Sequence, residues 1–390
     1  MTQAYIVSVA RTAGGRRGGK LKDWHPADLA AVTLDAIVDR TGIDPAQIED
    51  VIMGCVSQVG EQAFSVGRGA VLSSKLPESV PATTIDRQCG SSQQAVHFAA
   101  ATVMAGQMDA VIAAGVESMT RVPMGLANTL PAANGYGTPD SPGMAQRYPG
   151  VVFSQFTGAE AIARKHDLSK DMLDRFALDS HEKAIAATNA GWFDAEIVPV
   201  AVVDAEGAES LHARDEGIRF DASLDGISGV RLIQEGGRLT AASASQICDG
   251  ASAVLIVNDA GLKRLGLEPL ARIHQMTVIG EDPVIMLEAP ISATRRALER
   301  AGLSIDEIDL YEVNEAFASV PLAWTRALGA DPARLNVNGG AIALGHPLGA
   351  SGTKLMTTLV QALHRTGARY GLQTMCEGGG LANVTIIERL

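Results

Sequence analysis

The feature that most limits what this chain can fold into is a repeat of itself. Gly42-Ile-Asp-Pro-Ala-Gln-Ile-Glu-Asp-Val-Ile returns as Gly302-Leu-Ser-Ile-Asp-Glu-Ile-Asp-Leu-Tyr-Glu, 260 residues later. Both stretches follow an amphipathic pattern (Asp28–Arg40 and Ala293–Ala301). Both lead through a hydrophobic residue at one offset, Ile48 or Ile308, into a strand-like run. The same displacement carries Cys89 into Gly345-His-Pro-Leu-Gly-Ala-Ser-Gly352, and Gly106 meets Gly367 at 261. Asp109-Ala-Val-Ile-Ala-Ala-Gly115 then faces Tyr370-Gly-Leu-Gln-Thr-Met-Cys376. A register kept this closely predicts two copies of one α/β unit. Strands alternating with helices predict a mixed, largely parallel sheet in each copy.

In the first copy, Tyr5–Ala10 and Val51–Val56 read as strands, and Pro26–Thr41 as a helix with Leu29, Val32, Ile37 and Val38 inward. Pro81–Arg87 opens as a short strand and Gln88–Ser92 turns the chain. Gln93–Gln107 is apolar on nearly every side, the mark of a buried helix. Lys354–Leu363 is its counterpart. The second copy ends in a tight hairpin, Met375–Ile387, whereas the matching return strand of the first is Ala251–Val257. Residues 121–241 therefore read as an insertion between neighbouring strands, dividing the chain into 1–120 with 242–268, an inserted loop domain, and 269–390. Within the insertion, Val122–Gly150 is rich in Gly, Pro, Met and Asn and reads as a long exposed loop. Gly158–His166 and Lys170–Ala190 read as helices.

Composition narrows the function. At 390 residues, 46% hydrophobic and 19% charged, the chain suits two or three domains with a large core. A net charge of −12 with no Lys/Arg block argues against a nucleic-acid partner. No apolar run approaches the roughly 18 residues of a membrane span, and Met1–Thr12 lacks a signal peptide's layout. The four cysteines, at 55, 89, 248 and 376, have neither metal-ligand spacing nor a disulfide framework. The expectation is a cytoplasmic enzyme with free thiols and no metal. Gly14-Gly-Arg-Arg-Gly-Gly-Lys20 nearly spells a phosphate-binding loop, but Leu21 stands where the Mg²⁺-binding hydroxyl belongs, so it is set aside.

Cys89 is the first candidate for chemistry. At a turn before a helix, the unpaired N–H groups favour a thiolate, which is the nucleophilic form; a buried structural role is the alternative. If the two copies pack about a pseudo-twofold axis, the N-termini of their central helices approach one another. Cys89 and His346 then share a cleft, joined by Cys376 from the hairpin and by Asn314 at a strand end. A nucleophile, its base, a second acid/base and an oxyanion donor suit acyl transfer through a thioester. Gly378-Gly-Gly380 lets backbone N–H groups approach a ligand. Taken singly, Cys376 reads equally as strand packing and Asn314 as a helix cap. Cys55 and Cys248 read as core.

Cys89-Gly-Ser-Ser, Asn314-Glu-Ala-Phe, Gly345-His-Pro and Cys376-Glu-Gly-Gly-Gly, in this order, resemble the thiolase family, as do Arg11-Thr12 and Glu117-Ser-Met. The resemblance covers the whole chain. Gln88-Cys-Gly-Ser-Ser-Gln-Gln and the Cys-Glu-Gly-Gly-Gly ending further resemble actinobacterial members used in lipid and steroid breakdown. The resemblance implies the thiolase fold, a duplicated α/β unit with mixed sheets, buried central helices and an inserted loop domain. It also implies a two-step acyl transfer. Cys89 attacks the 3-keto carbon of an acyl-CoA and His346 takes its proton. Cys376 protonates the acetyl-CoA enolate, and a second CoA collects the shortened acyl group. His346 with a water on Asn314 forms one oxyanion hole, and the N–H groups of Cys89 and Gly378 the other. Ser245 matches a CoA-contacting serine, Phe317 and Met286 match apolar pocket positions, and Gln155-Phe156 falls in the covering segment. Coenzyme A enters as substrate and product, with no other cofactor. The family's members are dimers or dimers of dimers, the latter decided at Val122–Gly150.

Three departures bear on the substrate. Gln155-Phe156-Thr157-Gly158 replaces the His-Met of many short-chain members, Val203–Gly207 is acidic where many are basic, and Glu377 replaces a small or apolar neighbour of Cys376. A degradative enzyme accepting acyl groups larger than acetoacetyl is expected, with an acetoacetyl-CoA-specific enzyme as the alternative. A β-ketoacyl synthase is the nearest rival, but carries histidine where Cys376 stands. A catalytically idle CoA- or acyl-binding scaffold and a Cys89–Cys376 redox switch are the rivals from other classes.

Overall fold

The computed structural model describes residues 2–204 and 206–390; Ala205, within the acidic stretch Val203–Gly207, lies outside them. Its principal strands are β1 (Tyr5–Thr12), β2 (Asp50–Gly54), β3 (Ala82–Ile85), β4 (Ala110–Ser118), β5 (Cys248–Val257), β6 (Ala271–Gly280), β7 (Leu310–Val313), β8 (Tyr370–Glu377) and β9 (Leu381–Arg389). They lie side by side in the order β7-β8-β9-β6-β1-β5-β4-β2-β3.

The repeat is visible in the hydrogen-bond register. β2 pairs parallel to β4 with Val51 opposite Ile112, and β7 pairs parallel to β8 with Tyr311 opposite Leu372. Both members of the pair have moved by the sequence displacement of 260. A register shift between Ile6 and Ser8 on β1 recurs between Ile273 and Gln275 on β6. The helices preceding β2 and β7, α1 (Pro26–Thr41) and its counterpart Ala289–Ala301, end alike. Gly42 and Gly302 both adopt φ +66°, a left-handed cap that glycine takes without a Cβ penalty. Each cap leads through a 3-10 turn, Pro45–Gln47 or Ile305–Glu307, into its strand.

Two expectations need correction. Each copy was expected to build its own largely parallel sheet. Instead β1 and β6 pair antiparallel (Tyr5 with Arg272, Ile6 with Ala271), joining both halves into one sheet. Among the nine principal strands, parallel pairing is found at β2–β4, β2–β3 and β7–β8, because β5 and β9 are antiparallel to their neighbours; β1 also pairs parallel with the short strand Ile197–Val198. Val122–Gly150 is exposed as expected, but contains two short helices, Leu126–Ala133 and Pro142–Arg147, the second capped by Ser141. Of the predicted inward face of α1, Val32 is only half-buried.

The first central helix, α2, spans Ser91–Met104, and the second spans Ser351–Thr366; both start at equivalent positions. Ala95, Val96, Ala99 and Val103 of α2 pack with Met356, Leu359, Val360 and Leu363, and with Val111, Val254 and Ile387 from the strands. The opposite faces of β2, β4 and β5 (Val51, Met53, Ile112, Leu255) bury Leu29, Leu34 and Ile37 of α1. Alternation along the strands thus sends one set of residues to each helical layer. At their N-termini the central helices touch. A Cβ on Gly352 would lie 2.0 Å from Gln93 N, so only glycine fits that crossing. Thr353 N–H donates to Ser92 Oγ at 3.0 Å across it.

Candidate active site

Cys89 sits on the turn between β3 and α2, with Gly90 as the helix cap. The turn is held by Ser91, whose Oγ donates to the Gln88 carbonyl at 2.6 Å and accepts from Arg87 N–H at 2.9 Å. Gln88 takes φ +48°, a left-handed conformation uncommon for a side-chain-bearing residue. The expectation that the helix terminus favours a thiolate is outweighed here. Burial pushes the Cys89 thiol up to about 12, with the charge of Glu377 as the next cause. Making a thiolate therefore requires a base.

His346 is the candidate for that base. It follows Gly345, whose φ of +78° and whose packing against Cys248 both demand glycine. His346 N–H donates to the Gln246 carbonyl at 3.0 Å. Its Nδ1 lies 2.5 Å from Ser351 Oγ, and that hydroxyl donates to the Pro347 carbonyl at 2.9 Å. With the single Ser351 proton on that carbonyl, Nδ1 is the donor and Nε2 carries the lone pair. Nε2 faces Asn314 Nδ2 at 3.4 Å. Burial, then the charge of Lys354, lower the imidazole to about 3, so the ring is neutral near neutral pH and a weaker proton acceptor than a free imidazole.

Asn314 follows β7 and is anchored by its N–H to the Thr374 carbonyl at 3.1 Å. Its Oδ1 is buried without a partner, an acceptor suited to an ordered water. Cys376 lies near the end of β8, 1% exposed, its thiol raised well above the ordinary range by burial and by proximity to Cys89. The turn after it packs on the Cys89 turn, since a Cβ on Gly378 would meet Gln88 Oε1 at 3.1 Å. The four cysteines are unbridged. Cys55 and Cys248 are buried, the latter beneath Gly345 and Gly14.

The residues that fix this arrangement were not singled out by sequence reasoning. Glu117, buried at the end of β4, accepts from the N–H groups of Val56, Ser57 and Gly349 and from Gln62 Nε2. Glu315 accepts from Asn336 Nδ2, Ser180 Oγ and Ile342 N–H, tying the Asn314 turn to the chain that leads into His346. Lys354 Nζ donates to the carbonyls of Leu344 (2.6 Å) and Gly345 (3.2 Å), directly before His346. Glu117 and Glu315 lie inside quoted motifs. Ser351 also lies inside one, Gly345–Gly352, and Lys354 is signalled only by being polar in a buried helical run.

Ser245 lies between the two loops. Its N–H donates to the Ala316 carbonyl at 3.0 Å, while neighbouring Gln246 reaches the Ile342 carbonyl at 2.7 Å. Phe156 meets Phe317 edge to face, ring centroids 5.6 Å apart. Met286, at φ +62°, packs by Gly158 and shares a core cluster with Phe317 and Cys376. Gln155 points elsewhere, its Nε2 lying 3.9 Å from Met124 Sδ in the exposed segment. In the glycine-rich stretch after β1, Gly14 N–H is taken by Asp215, and the N–H groups of Arg16 and Lys20 by Glu216. Carboxylates already fill the place a phosphate would need.

Comparison with known proteins covers nearly the whole chain. A model of the thiolase N-terminal domain matches residues 4–260, and one of the thiolase C-terminal domain matches 267–389. The chain is 51% identical over 392 residues to a protein named steroid 3-ketoacyl-CoA thiolase FadA6 from Mycobacterium tuberculosis, covering 100% of this chain and 95% of that one. It is 41% identical over 397 residues to a 3-ketoacyl-CoA thiolase of Erwinia tasmaniensis, with both chains fully covered. Identity to the 3-ketoacyl-CoA thiolase of Aliivibrio fischeri is 40% over 396 residues, again with both chains fully covered.

Proposed function

The chain belongs to the thiolase family, and from that premise we propose which of its residues carry the reaction. It is an acyltransferase that cleaves 3-ketoacyl-CoA with CoA to give acetyl-CoA and a shortened acyl-CoA.

Neutral His346 takes the Cys89 proton on Nε2, and the thiolate adds to the 3-keto carbon. On protonation Nε2 becomes a donor toward the new oxyanion, beside a water held on Asn314 Oδ1. The bond between C2 and C3 then breaks. Its electron pair leaves on acetyl-CoA as the enolate, and the Cys376 thiol protonates it. In the second half, Cys376 thiolate takes the proton of an incoming CoA thiol. That sulfur attacks the acyl-Cys89 thioester, and Cys89 departs with the His346 proton. The backbone N–H groups of Cys89 and Gly378, on turns that pack together, serve as the second oxyanion site. Ser245 lies where CoA contacts the family's site. CoA itself is the sole cofactor-like molecule required. The single observation that carries this assignment is the setting of the His346 ring, with Nδ1 on Ser351 Oγ and Nε2 turned to Asn314.

For the substrate, we read a degradative enzyme of lipid or steroid breakdown that accepts acyl groups larger than acetoacetyl. The name of the 51% identical relative and the aromatic pair Phe156–Phe317 support this. A thiolysis panel from acetoacetyl-CoA to long-chain and ring-bearing 3-ketoacyl-CoAs tests it. A panel in which acetoacetyl-CoA is best and larger substrates are refused overturns it. We also read the chain as a cytoplasmic homo-oligomer. Strand β3 leaves a free sheet edge, and Phe64 beside it is fully exposed at φ +53°. Among the described residues no helix is long and apolar enough to cross a membrane.

A further inference from the structure

Behind the two reacting thiols lies a carboxyl group that the mechanism does not use. Glu377 is buried, and neither of its oxygens has a hydrogen-bond partner. It follows Cys376 in the chain, and its carboxyl rests on the backbone of Gly90, which follows Cys89. A Cβ on Gly90 would meet Oε1 at 2.0 Å and the carboxyl carbon at 2.6 Å, so the group is wedged against that turn. Asn383 on β9 closes the other side, donating to the Gly90 carbonyl at 3.1 Å.

We propose that Glu377 is a positioning residue whose carboxyl must be uncharged in the working enzyme, bracing the Gly90 turn and keeping a standing negative charge away from Cys89 and Cys376. The inference rests on the thiolase reading of the site. The reaction places a thiolate first at Cys89 and then at Cys376, in surroundings of low dielectric where like charges repel strongly. The charged groups facing Glu377 are Arg87 and Asp86 on the Cys89 turn, acting on it through space in opposite directions, and the two thiols. His97 on α2 is held neutral by burial, and Asn383 is uncharged. Glu117 and Asp86 also act on Cys89, but less than Glu377 does. Burial raises Glu377 to about 8, so it retains its proton near neutrality and loses it in mildly alkaline solution.

The test is the pH dependence of Cys89 alkylation by iodoacetamide, followed by peptide mass in the full-length protein, in the parent, E377Q and E377A. Both variants remove the charge, and E377Q keeps the shape. Cys89 should become reactive about one pH unit lower in both variants than in the parent. A second readout needs no chemistry at sulfur. Between the ordinary carboxyl range and about pH 8 the folded protein holds a proton that the unfolded chain releases, so the parent should lose Tm relative to either variant as pH rises through that window. Superimposable alkylation profiles, or a Tm difference that does not change with pH, overturn the proposal. A protein whose Cys89 alkylates as described but is never acetylated by acetyl-CoA would instead overturn the thiolase assignment of the site.

Discussion

Ser351 Oγ sits 2.5 Å from Nδ1 of His346 and 2.9 Å from the Pro347 carbonyl, so a helix-opening serine orients the imidazole proposed as the base. Ser351→Ala removes that constraint while leaving His346 buried between Gln246 and Asn314. A hydrogen bond of this kind contributes about 1 kcal/mol, so kcat/KM should fall roughly 3- to 10-fold. Steady-state thiolysis and stopped-flow acetylation check this. A full loss of folding would point to a structural role, and parental kinetics would remove the tautomer argument.

Cys89→Ser should abolish the acyl-enzyme. Burial already raises the parent thiol, and His346 is the proposed acceptor of its proton. An alkoxide is far harder to form. Intact-mass analysis after incubation with acetyl-CoA should show an acetyl adduct on the parent and none on the variant. An adduct that persists on the variant would place the nucleophile elsewhere.

Cys376→Ser should separate the two half-reactions. Acetylation of Cys89 uses His346 and the oxyanion donors, and should survive. Exchange of the acetyl-CoA α-protons needs a base at position 376, and a serine hydroxyl is too weak an acid to provide it. Deuterium uptake measured by mass spectrometry should vanish while acetylation remains. If both fall together, Cys376 is packing, as its 1% exposure by itself would equally allow.

Much of this was legible in the chain because a repeated fold repeats its constraints. Gly42 and Gly302 cap their helices with one geometry, and the displacement between them also relates the β2–β4 and β7–β8 registers. The approach of the central helices followed from that displacement and is seen at Ser92, Gln93, Gly352 and Thr353. The single continuous sheet was hidden because it depends on only two residue pairs at the β1–β6 seam, which no pattern announces. The raised thiol of Cys89 was hidden for a different reason. Helix-terminal N–H groups are local and readable, whereas Glu377 reaches Cys89 only through tertiary packing. The same holds for Lys354, whose carbonyl partners Leu344 and Gly345 lie ten and nine positions before it and become neighbours only when the loop folds back.

Acid should weaken the fold through a histidine that takes no part in the proposed chemistry. His97 is buried in α2, its Nε2 2.8 Å from Thr385 Oγ1, and burial lowers it to about 3. Below the ordinary histidine range the unfolded chain binds a proton that the folded chain refuses until about pH 3. Its contribution therefore falls away as pH drops through this window, by about 2 kcal/mol at pH 5. His97→Gln keeps a partner for Thr385 and cannot be protonated. Thermal unfolding of parent and variant at pH 7.5 and pH 5 should show a smaller Tm loss for the variant, and equal losses would assign the acid sensitivity to other groups.

Phe156 offers the sharpest handle on substrate. Phe156 is 38% exposed and meets Phe317 edge to face at 5.6 Å, so the aromatic pair leaves part of its surface uncovered, where we propose the acyl chain packs. Phe156→Ala gives up the aromatic pair and the apolar surface together. Each CH₂ group buried against such surface is worth about 0.8 kcal/mol. An acyl group long enough to reach position 156 should therefore lose about 1–2 kcal/mol of transition-state binding, roughly 5- to 30-fold in kcat/KM. Acetoacetyl-CoA, ending short of it, should change by less than about threefold. The measurement is kcat/KM across a chain-length series for both proteins. An equal loss on every substrate would make Phe156 a support for Phe317 alone, and a gain on the longest chains would mean that the ring narrows the pocket rather than lining it.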